Sequence, residues 1–481
     1  VSDLRPPIIE EIAVMCLPLV PFSEPLRVMR TTPRLALALV LAFLSGIATR
    51  TARGEAAEQA AAVAVPQKLG LETAKRIALR DNPGIAASSE RLNAAVAVIR
   101  QTQSAYYPTL SVATDATHVE ETPRGAGITG TDPYDTYRWS ATAAWVVFDG
   151  FARRMNVLAA QYGEASFVQS HRDAQRLLLQ SISSAFFNAL LAEENIKIAR
   201  QDADFNRELS NETRKRFDAG AAARSDVLNF DIRTTEAESR YVSAELAFRT
   251  ATTVLAELLG IVNTALPADL ELVPPAESTL HDTVPDLGAE VVYAFTSRPD
   301  LLGFDERIAR LQTSYRAKKS EYYPTISIQG TIGQSRLDDL KLNLQRDDSS
   351  SVGIAATWDV FTGHSTRHGL AEIRAQIREQ EALQDRLRLS VSSEIKRQAD
   401  TARVSQEQLR LTQKVNGMTS EVRDLVRAEY FAGRTSLTRL NEAQTDLVRA
   451  SGNFALARIR CWQAFEDARA ASARNLDILD Q

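Results

Sequence analysis

Only two cysteines occur in the 481 residues, Cys16 and Cys461. Cys16 precedes a segment with the marks of an export signal, so the exported chain keeps one thiol and forms no intramolecular disulfide. Proline is missing from Tyr134 to Leu266 and from Thr325 to Gln481. An interior proline costs a helix about 3 kcal/mol, so both stretches are free to be helical throughout. Glycine is scarce in the same places: Gly163 alone lies between Phe151 and Ala219, and Gly369 and Gly417 between His364 and Ala432. Neither sign of charge dominates, the net charge being −5. With no basic patch of interleaved aromatics, nucleic acid is set aside as a partner. The chain offers no Ser/His/Asp or Cys/His set and no phosphate-binding loop, so it shows no catalytic constellation and requires no cofactor. His364 and His368 have the i, i+4 spacing that can hold a metal. No third ligand accompanies them and Arg367 opposes a cation, so they read as a solvated helix end.

Long apolar runs are also rare. The one at Leu35 to Ala48 follows Met29, Arg30 and Arg34 and is followed by small residues. That order is expected of a cleavable secretory signal, and the run is too short for a comfortable membrane helix. The expected start is Met29, with residues 1–56 a doubtful leader plus signal cleaved after Ala48 or Ala56. No cysteine directly follows the apolar run, so a lipid anchor is not indicated.

What is present is a duplication. Tyr106-Tyr107-Pro108-Thr109 returns as Tyr322-Tyr323-Pro324-Thr325, and Asn82-Pro83 as Arg298-Pro299, each 216 positions on. Phe148-Asp149-Gly150 returns as Phe361-Thr362-Gly363, and Arg216-Phe217-Asp218-Ala219-Gly220 as Glu429-Tyr430-Phe431-Ala432-Gly433, each 213 positions on. The period far exceeds the ~20–50 residues of solenoid repeats, so each copy is a substantial unit.

Within each copy two periods alternate. Leu178, Ile182, Ala185, Ala189, Ile196, Ala199 and Ala203 step by three or four. So do Leu383, Leu387, Val391, Ile395, Ala399 and Ala402, and Val415, Met418, Val422 and Leu425 are expected to continue that stripe. Sustained over many turns, this predicts coiled-coil helices. Leu110, Val112, Thr114 and Ala116 instead alternate with Ser111, Ala113, Asp115 and Thr117, and similar segments surround Trp145, Ile328 and Ile354. These predict strands of about ten residues with one apolar and one polar face, the length that crosses an outer membrane when tilted. The first repeat is expected at 69–259, with strands near 108–119 and 136–148, a long helix over 149–216 and a return helix over 226–259. Residues 260–288 form a linker. The second repeat is expected at 289–475, with strands near 325–334 and 350–361 and helices over 363–430 and 435–475. Polar loops, Glu120 to Pro133 and Arg336 to Ser349, join the strand pairs. The fold class is α+β and mainly α.

Four strands cannot close a barrel, and open sheet edges cannot sit in lipid. Three chains pooling four strands each would close a twelve-stranded barrel, and their helices would pool into a hollow cylinder. A barrel with a polar lumen continued by a helical tube is a conduit.

On the duplicated Asn/Arg-Pro, Tyr-Tyr-Pro-Thr, Phe-x-Gly and turn-glycine motifs, the chain resembles the TolC-like outer-membrane efflux and secretion channels from Leu69 to Ala473. The resemblance implies a homotrimer in the outer membrane with a periplasmic α-helical barrel. It also implies docking to a periplasmic adaptor and an inner-membrane transporter of the ABC or RND type. The turns at Gly220 and Gly433 would form the periplasmic gate. Asp226, preceded by Ser225, aligns with an aspartate that latches the closed tip to a tyrosine, here Tyr430. Arg434 or Thr435 would stand at a basic latch position, and Glu442 would supply an acidic ring. Gly433 reaches Leu440 in seven steps where Gly220 reaches Leu228 in eight, so the second turn is expected to be one residue short. A structural reading stands beside the latch: Ser225 and Asp226 suit a helix N-cap, and Gly220 and Gly433 suit helix C-caps. Tyr106, Tyr107, Trp139, Trp145, Tyr322, Tyr323 and Trp358 suit interfacial girdles in outer-membrane lipid. The alternative to a passive exit duct is a structural coiled-coil envelope protein without a transport role, which explains the helices but not the strands.

Overall fold

The computed structural model describes residues 66–119, 134–263, 266–267, 270–281, 286–339 and 345–479. The expected export signal and the first strand-to-strand loop lie outside the described residues. Strand β1 (Lys68–Gly70) and helices α1 (Leu71–Asp81) and α2 (Pro83–Gln103) lead into β2 (Thr109–Val119) and β3 (Tyr134–Phe148). Helices α3 (Ala152–Asp218) and α4 (Arg224–Leu258) follow. The second copy runs β4 (Glu271–Val273), α5 (Leu287–Ser297), α6 (Pro299–Lys319), β5 (Thr325–Asp339), β6 (Gln345–Thr357), α7 (Ser365–Phe431) and α8 (Leu437–Ala471).

Local chemistry sets the boundaries. Pro83 and Pro299 open α2 and α6, where a missing N–H costs nothing. The Asn82 side chain accepts from the Gly84 N–H at 2.8 Å and caps α2. Each strand-to-helix turn carries two consecutive left-handed residues, Gly150-Phe151 (φ 64° and 69°) and Gly363-His364 (φ 61° and 67°). The non-glycine member strains the backbone by roughly 1–2 kcal/mol. An edge-on aromatic contact accompanies it in both copies: Phe151 meets Phe148 at 5.7 Å, and His364 meets Phe361 at 5.5 Å.

Helices α3 and α7 each have 67 residues, so each runs on the order of 100 Å at 1.5 Å per residue. Each turns back into a helix of 35 residues. The four long strands form one antiparallel sheet in the order β2-β3-β5-β6, and β1 pairs parallel with β4 beside the helices. Strands β5 and β6 extend farther than periodicity suggests. Their ladder continues through Leu337↔Gln345, so part of the expected polar loop Arg336 to Ser349 is strand.

At its other end β6 stops at Thr357, short of the expected Phe361. The counterpart segment of β3 stays extended because β5 flanks it, with Trp145 opposite Ile328 and Phe148 opposite Ile326. Residues 358–361 have no such neighbour among the described residues.

The core sits where α1, α3, α4, α8 and β4 meet. Ile182, Phe186 and Phe187 pack with Ala74, Leu255, Leu272 and Trp462, and Phe187 stacks on Trp462 with ring centroids 6.4 Å apart. Cys461 is buried here, and burial pushes its thiol up to about 11, which leaves it unreactive at neutral pH.

One expectation is corrected. Val415, Met418, Val422 and Leu425 do not continue the buried stripe of α7 and are exposed. The buried face runs from Val391, Ile395 and Ala402 through Ser405 and Leu409 to Val426. The exposed four form a second stripe on another face, because Val415 lies thirteen positions after Ala402, and at about 100° per residue that puts it roughly 140° round the helix from Ala402.

Candidate conduit surfaces and gate

The register sorts the sheet into two faces. Leu110 lies opposite Ala143, Val112 opposite Ala141, and Thr114 opposite Trp139. Trp145 lies opposite Ile328, which in turn lies opposite Ile354. Directly paired residues share a face, so these side chains make one apolar surface. Leu110, Val112, Val352 and Ile354 are exposed on it. The other face carries Ser111, Ser140, Thr142, Gln329 and Thr331, with Asp115 opposite Arg138. Thr142 and Thr331 hydroxyls meet at 3.2 Å across strands. An exposed apolar face backed by a hydroxyl-rich, charge-paired face suits lipid on one side and water on the other.

At the helix end of the sheet the aromatics are held in matched pairs. Trp145 Nε1 donates to the Tyr106 carbonyl at 2.9 Å, and Trp358 Nε1 to the Tyr322 carbonyl at 3.1 Å. Tyr107 and Tyr323 are exposed beside them, and Trp139 lies farther along the sheet. The Arg153 guanidinium sits over the Tyr106 ring at 5.2 Å and donates to the Val147 carbonyl at 2.9 Å. In the second copy its place is taken by Thr366, which donates to Glu321 at 3.1 Å.

At the far end, Gly220 (φ 74°) and Gly433 (φ 72°) close the two long helices. The Ala221 N–H reaches the Arg216 carbonyl at 2.7 Å and the Gly220 N–H reaches the Phe217 carbonyl at 2.9 Å, and Arg434 and Gly433 repeat the pattern on Glu429 and Tyr430. This is the Schellman arrangement, whose positive φ favours glycine.

The turns are the same length. Helix α4 begins four residues after Gly220, and α8 four residues after Gly433. Leu440 is therefore the counterpart of Val227, both buried, whereas Leu228 is exposed. No residue is missing from the second turn, and Arg439 is the counterpart of Asp226 in the other copy. Neither Ser225 nor Asp226 is an N-cap. Ala223 holds that place in α4, with Asp226 in the first turn, while Ser436 caps α8 and accepts from the Arg439 N–H at 3.3 Å.

Among the described residues, no hydrogen bond joins Tyr430 to Asp226. Tyr430 instead packs against the tip cluster of Phe205, Leu209, Phe230, Val426 and Leu440. Arg216 stands over the rings of Tyr430 (5.9 Å) and Phe431 (5.1 Å), and Arg427 reaches Glu208 at 2.7 Å. Arg434, Glu442 and Ser225 are exposed and Thr435 is half-buried. Above the tip cluster lies a buried polar joint that sequence reasoning missed. Asp202 accepts from Gln444 at 2.9 Å, from Asn206 at 3.1 Å and from Arg240 at 2.8 Å, linking α3, α4 and α8. Asp202, Phe205 and Leu209 do keep the three-and-four spacing of a seam, which was the available signal.

Among the described residues, no helix is long and apolar enough to cross a membrane, and no group of three or more His, Cys, Asp or Glu residues is placed to hold a metal.

The outer membrane efflux protein family matches residues 76–261 and 293–473, one segment per copy. Protein CyaE of Bordetella pertussis is 27% identical over 331 residues, covering 68% of each chain. Alkaline protease secretion protein AprF of Pseudomonas aeruginosa is 24% identical over 240 residues, about half of each chain, with 48% of that relative covered. The crystal structure of outer membrane protein VceC from Vibrio cholerae superposes with a TM-score of 0.67 at 16% identity, covering 84% of this chain and 95% of that one. The family match spans most of the chain and falls on both halves of the duplication, so this chain belongs to the outer membrane efflux protein family and is a TolC-like channel rather than an enzyme.

Proposed function

We propose that three copies of this chain close a twelve-stranded barrel in the outer membrane of a Gram-negative bacterium and form a passive exit duct. The carrying observation is the four-stranded sheet with both edges open, one face apolar and the other polar, joined to helices that run on the order of 100 Å. Hydrocarbon cannot satisfy an open sheet edge, so the edges of β2 and β6 need further copies. Tyr106, Tyr107, Trp139, Trp145, Tyr322, Tyr323 and Trp358 would line the lipid interfaces. The helical tube would meet a periplasmic adaptor and an inner-membrane transporter, and a cleavable signal would direct export. The names of the relatives, an alkaline protease secretion protein among them, support an export role. The rival reading, a coiled-coil envelope protein without transport, gives no use to the polar strand face.

The gate would lie at the tip, where α3, α7 and α8 meet. In this structure the two hairpins are joined there by Arg216 with Tyr430 and Phe431 and by Arg427 with Glu208; no side-chain bond of Asp226 is seen among the described residues, and it would pair with a neighbouring copy. Purified protein in detergent is expected to be trimeric and to conduct ions in planar bilayers. A monomer without conductance would sink the duct. Asp226→Ala and Tyr430→Phe are each expected to raise conductance, and no change in either would leave these residues a structural role.

A further inference from the structure

The linker between the two copies does more than join them. After β4, which pairs with β1 of the first copy, the chain crosses to α7 and α8 of the second. Pro274 and Pro275 follow β4 directly and have no N–H to donate. From Val273 to Thr279 every residue is exposed or half-buried. Burial resumes at Leu280, 6% exposed, which enters the core with Leu409, Cys461 and Trp462. Side chains of both second-copy helices grip the segment there. Gln406 of α7 donates to the Leu280 carbonyl at 3.1 Å, and Trp462 Nε1 of α8 donates to the Thr279 hydroxyl at 3.1 Å. The Cys461 thiol lies 4.0 Å from the same Leu280 carbonyl.

Two cavities border the segment. One of about 340 Å³ lies among Phe187, Pro274, Pro275, Thr279 and Trp462. The other, of about 590 Å³, lies among Glu277, Leu280, Gln406, Leu409 and Phe454. Close-packed interiors leave few voids larger than a water molecule, so the short helical turn Glu277–His281 is loosely flanked and plugged into the core by one leucine. A segment with so few buried apolar contacts opens at a lower cost than the whole fold. The first copy has Glu193, Phe248 and Arg249 where the second has Gln406, Cys461 and Trp462, so this set of contacts belongs to the second hairpin alone.

We propose that residues 274–281 are a clasp: the segment lifts off α7 and α8 and returns while the protein stays folded, and its release frees the α7–α8 hairpin to move against the first copy. Leu280 is the catch and β4, paired with β1, is the fixed end. With the clasp down, the hairpin is tied to the first copy through Gln406 and Trp462. With it up, Leu280 leaves the core and Cys461 loses its cover. The lifting stands on the packing alone, and the part played by the hairpin rests on the duct reading.

Cys461 reports the lifting. Burial holds its thiol up at about 11, so it reacts only when uncovered. The protein in detergent is treated with a small water-soluble maleimide at increasing urea below the unfolding transition, with Cys461→Ala as the blank. Labelling is expected at a rate that urea barely changes, because lifting exposes little surface. Leu280→Ala is expected to speed it at least about tenfold. Leu255→Ala, in the same core but off the clasp, is expected to lower the melting temperature without a comparable gain in labelling. A rate that tracks global unfolding, or equal gains in both variants, overturns the clasp. For the hairpin, a disulfide-containing bismaleimide joins Glu277→Cys to Arg410→Cys across the larger cavity, in a Cys461→Ala background. Conductance in planar bilayers is expected to fall on cross-linking and to recover on reduction. Unchanged conductance in a fully cross-linked sample overturns the link to the hairpin. A sample that never conducts overturns the duct reading instead and leaves the labelling result standing.

Discussion

Arg298 donates from Nη1 to the main-chain carbonyl of Ala471 at 2.7 Å. Its counterpart, Asn82, donates to the carbonyl of Leu258 at 2.8 Å. In both copies the residue before the helix-opening proline ties the strand-directed helix to the end of the returning one. The two ties differ in reach. Asn82 also caps its helix, whereas Arg298 binds Asp300 at 2.8 Å and Glu394 at 2.8 Å. Burial opposes the Arg298 charge, but the two carboxylates outweigh it and hold the guanidinium above its ordinary value. Arg298→Ala strands two carboxylates and a carbonyl, and is expected to cost about 3–5 kcal/mol. Asn82→Ala is expected to cost about 1 kcal/mol. Loss of helical circular dichroism on heating in detergent orders the two.

The same region gives a pH dependence. Burial raises Asp467 above the ordinary carboxylate value, the Gln180 hydrogen bond opposes this, and the Glu466 and Glu394 carboxylates add to it. The fold therefore holds a proton that the unfolded chain has released. The contribution is fully present below the ordinary value of 3.8 and is lost as pH rises through the raised one. Asp467→Asn keeps an acceptor for Gln180 and removes the titration. Its thermal stability relative to the parent is expected to improve from acid to neutral pH, and parallel pH profiles would refute the assignment.

Trp145 and Trp358 are anchored through their indole N–H groups. Trp145→Phe keeps a ring at the interface and leaves the Tyr106 carbonyl without that donor. The expected cost is about 1 kcal/mol, read as a lower dissociation temperature in detergent. Trp358→Phe is expected to cost a similar amount. Trp139→Phe is the comparison, because no such bond is seen for it among the described residues.

The polar joint predicts how the tip opens. Asp202→Leu alone leaves Gln444 and Arg240 without their shared acceptor and is expected to destabilise the chain by about 1–3 kcal/mol. Combined with Gln444→Leu it replaces the polar joint between α3 and α8 with an apolar contact. The double variant is expected to recover much of that stability and to conduct less in planar bilayers. Parental conductance in a stable double variant would place the opening elsewhere.

The long elements were legible because their signals are dense. Unbroken three-and-four periodicity and the lack of proline mark α3 and α7, and alternation marks all four strands. Two features are not legible in the linear pattern. Leu440 is the counterpart of Val227 and not of Leu228, because the turn length and not the residue type sets the register. Met418 lies off the buried stripe of α7, because that helix carries two apolar faces and periodicity alone does not say which one is buried. The Asp202 joint was invisible because its acceptors and donors lie 38 and 242 residues apart.

The sequence by itself determined the duplication, the order of helices and strands, and the family, since these follow from local periodicity and matched motifs. Which face of each helix is buried within the chain and which is left bare was decided only by the tertiary structure. Two copies with nearly the same pattern do not both bury the same face inside one chain: α3 packs against α8, and the corresponding face of α7, with Met418 and Val422, is left exposed. That asymmetry arises from packing one repeat against the other, and no residue carries it alone.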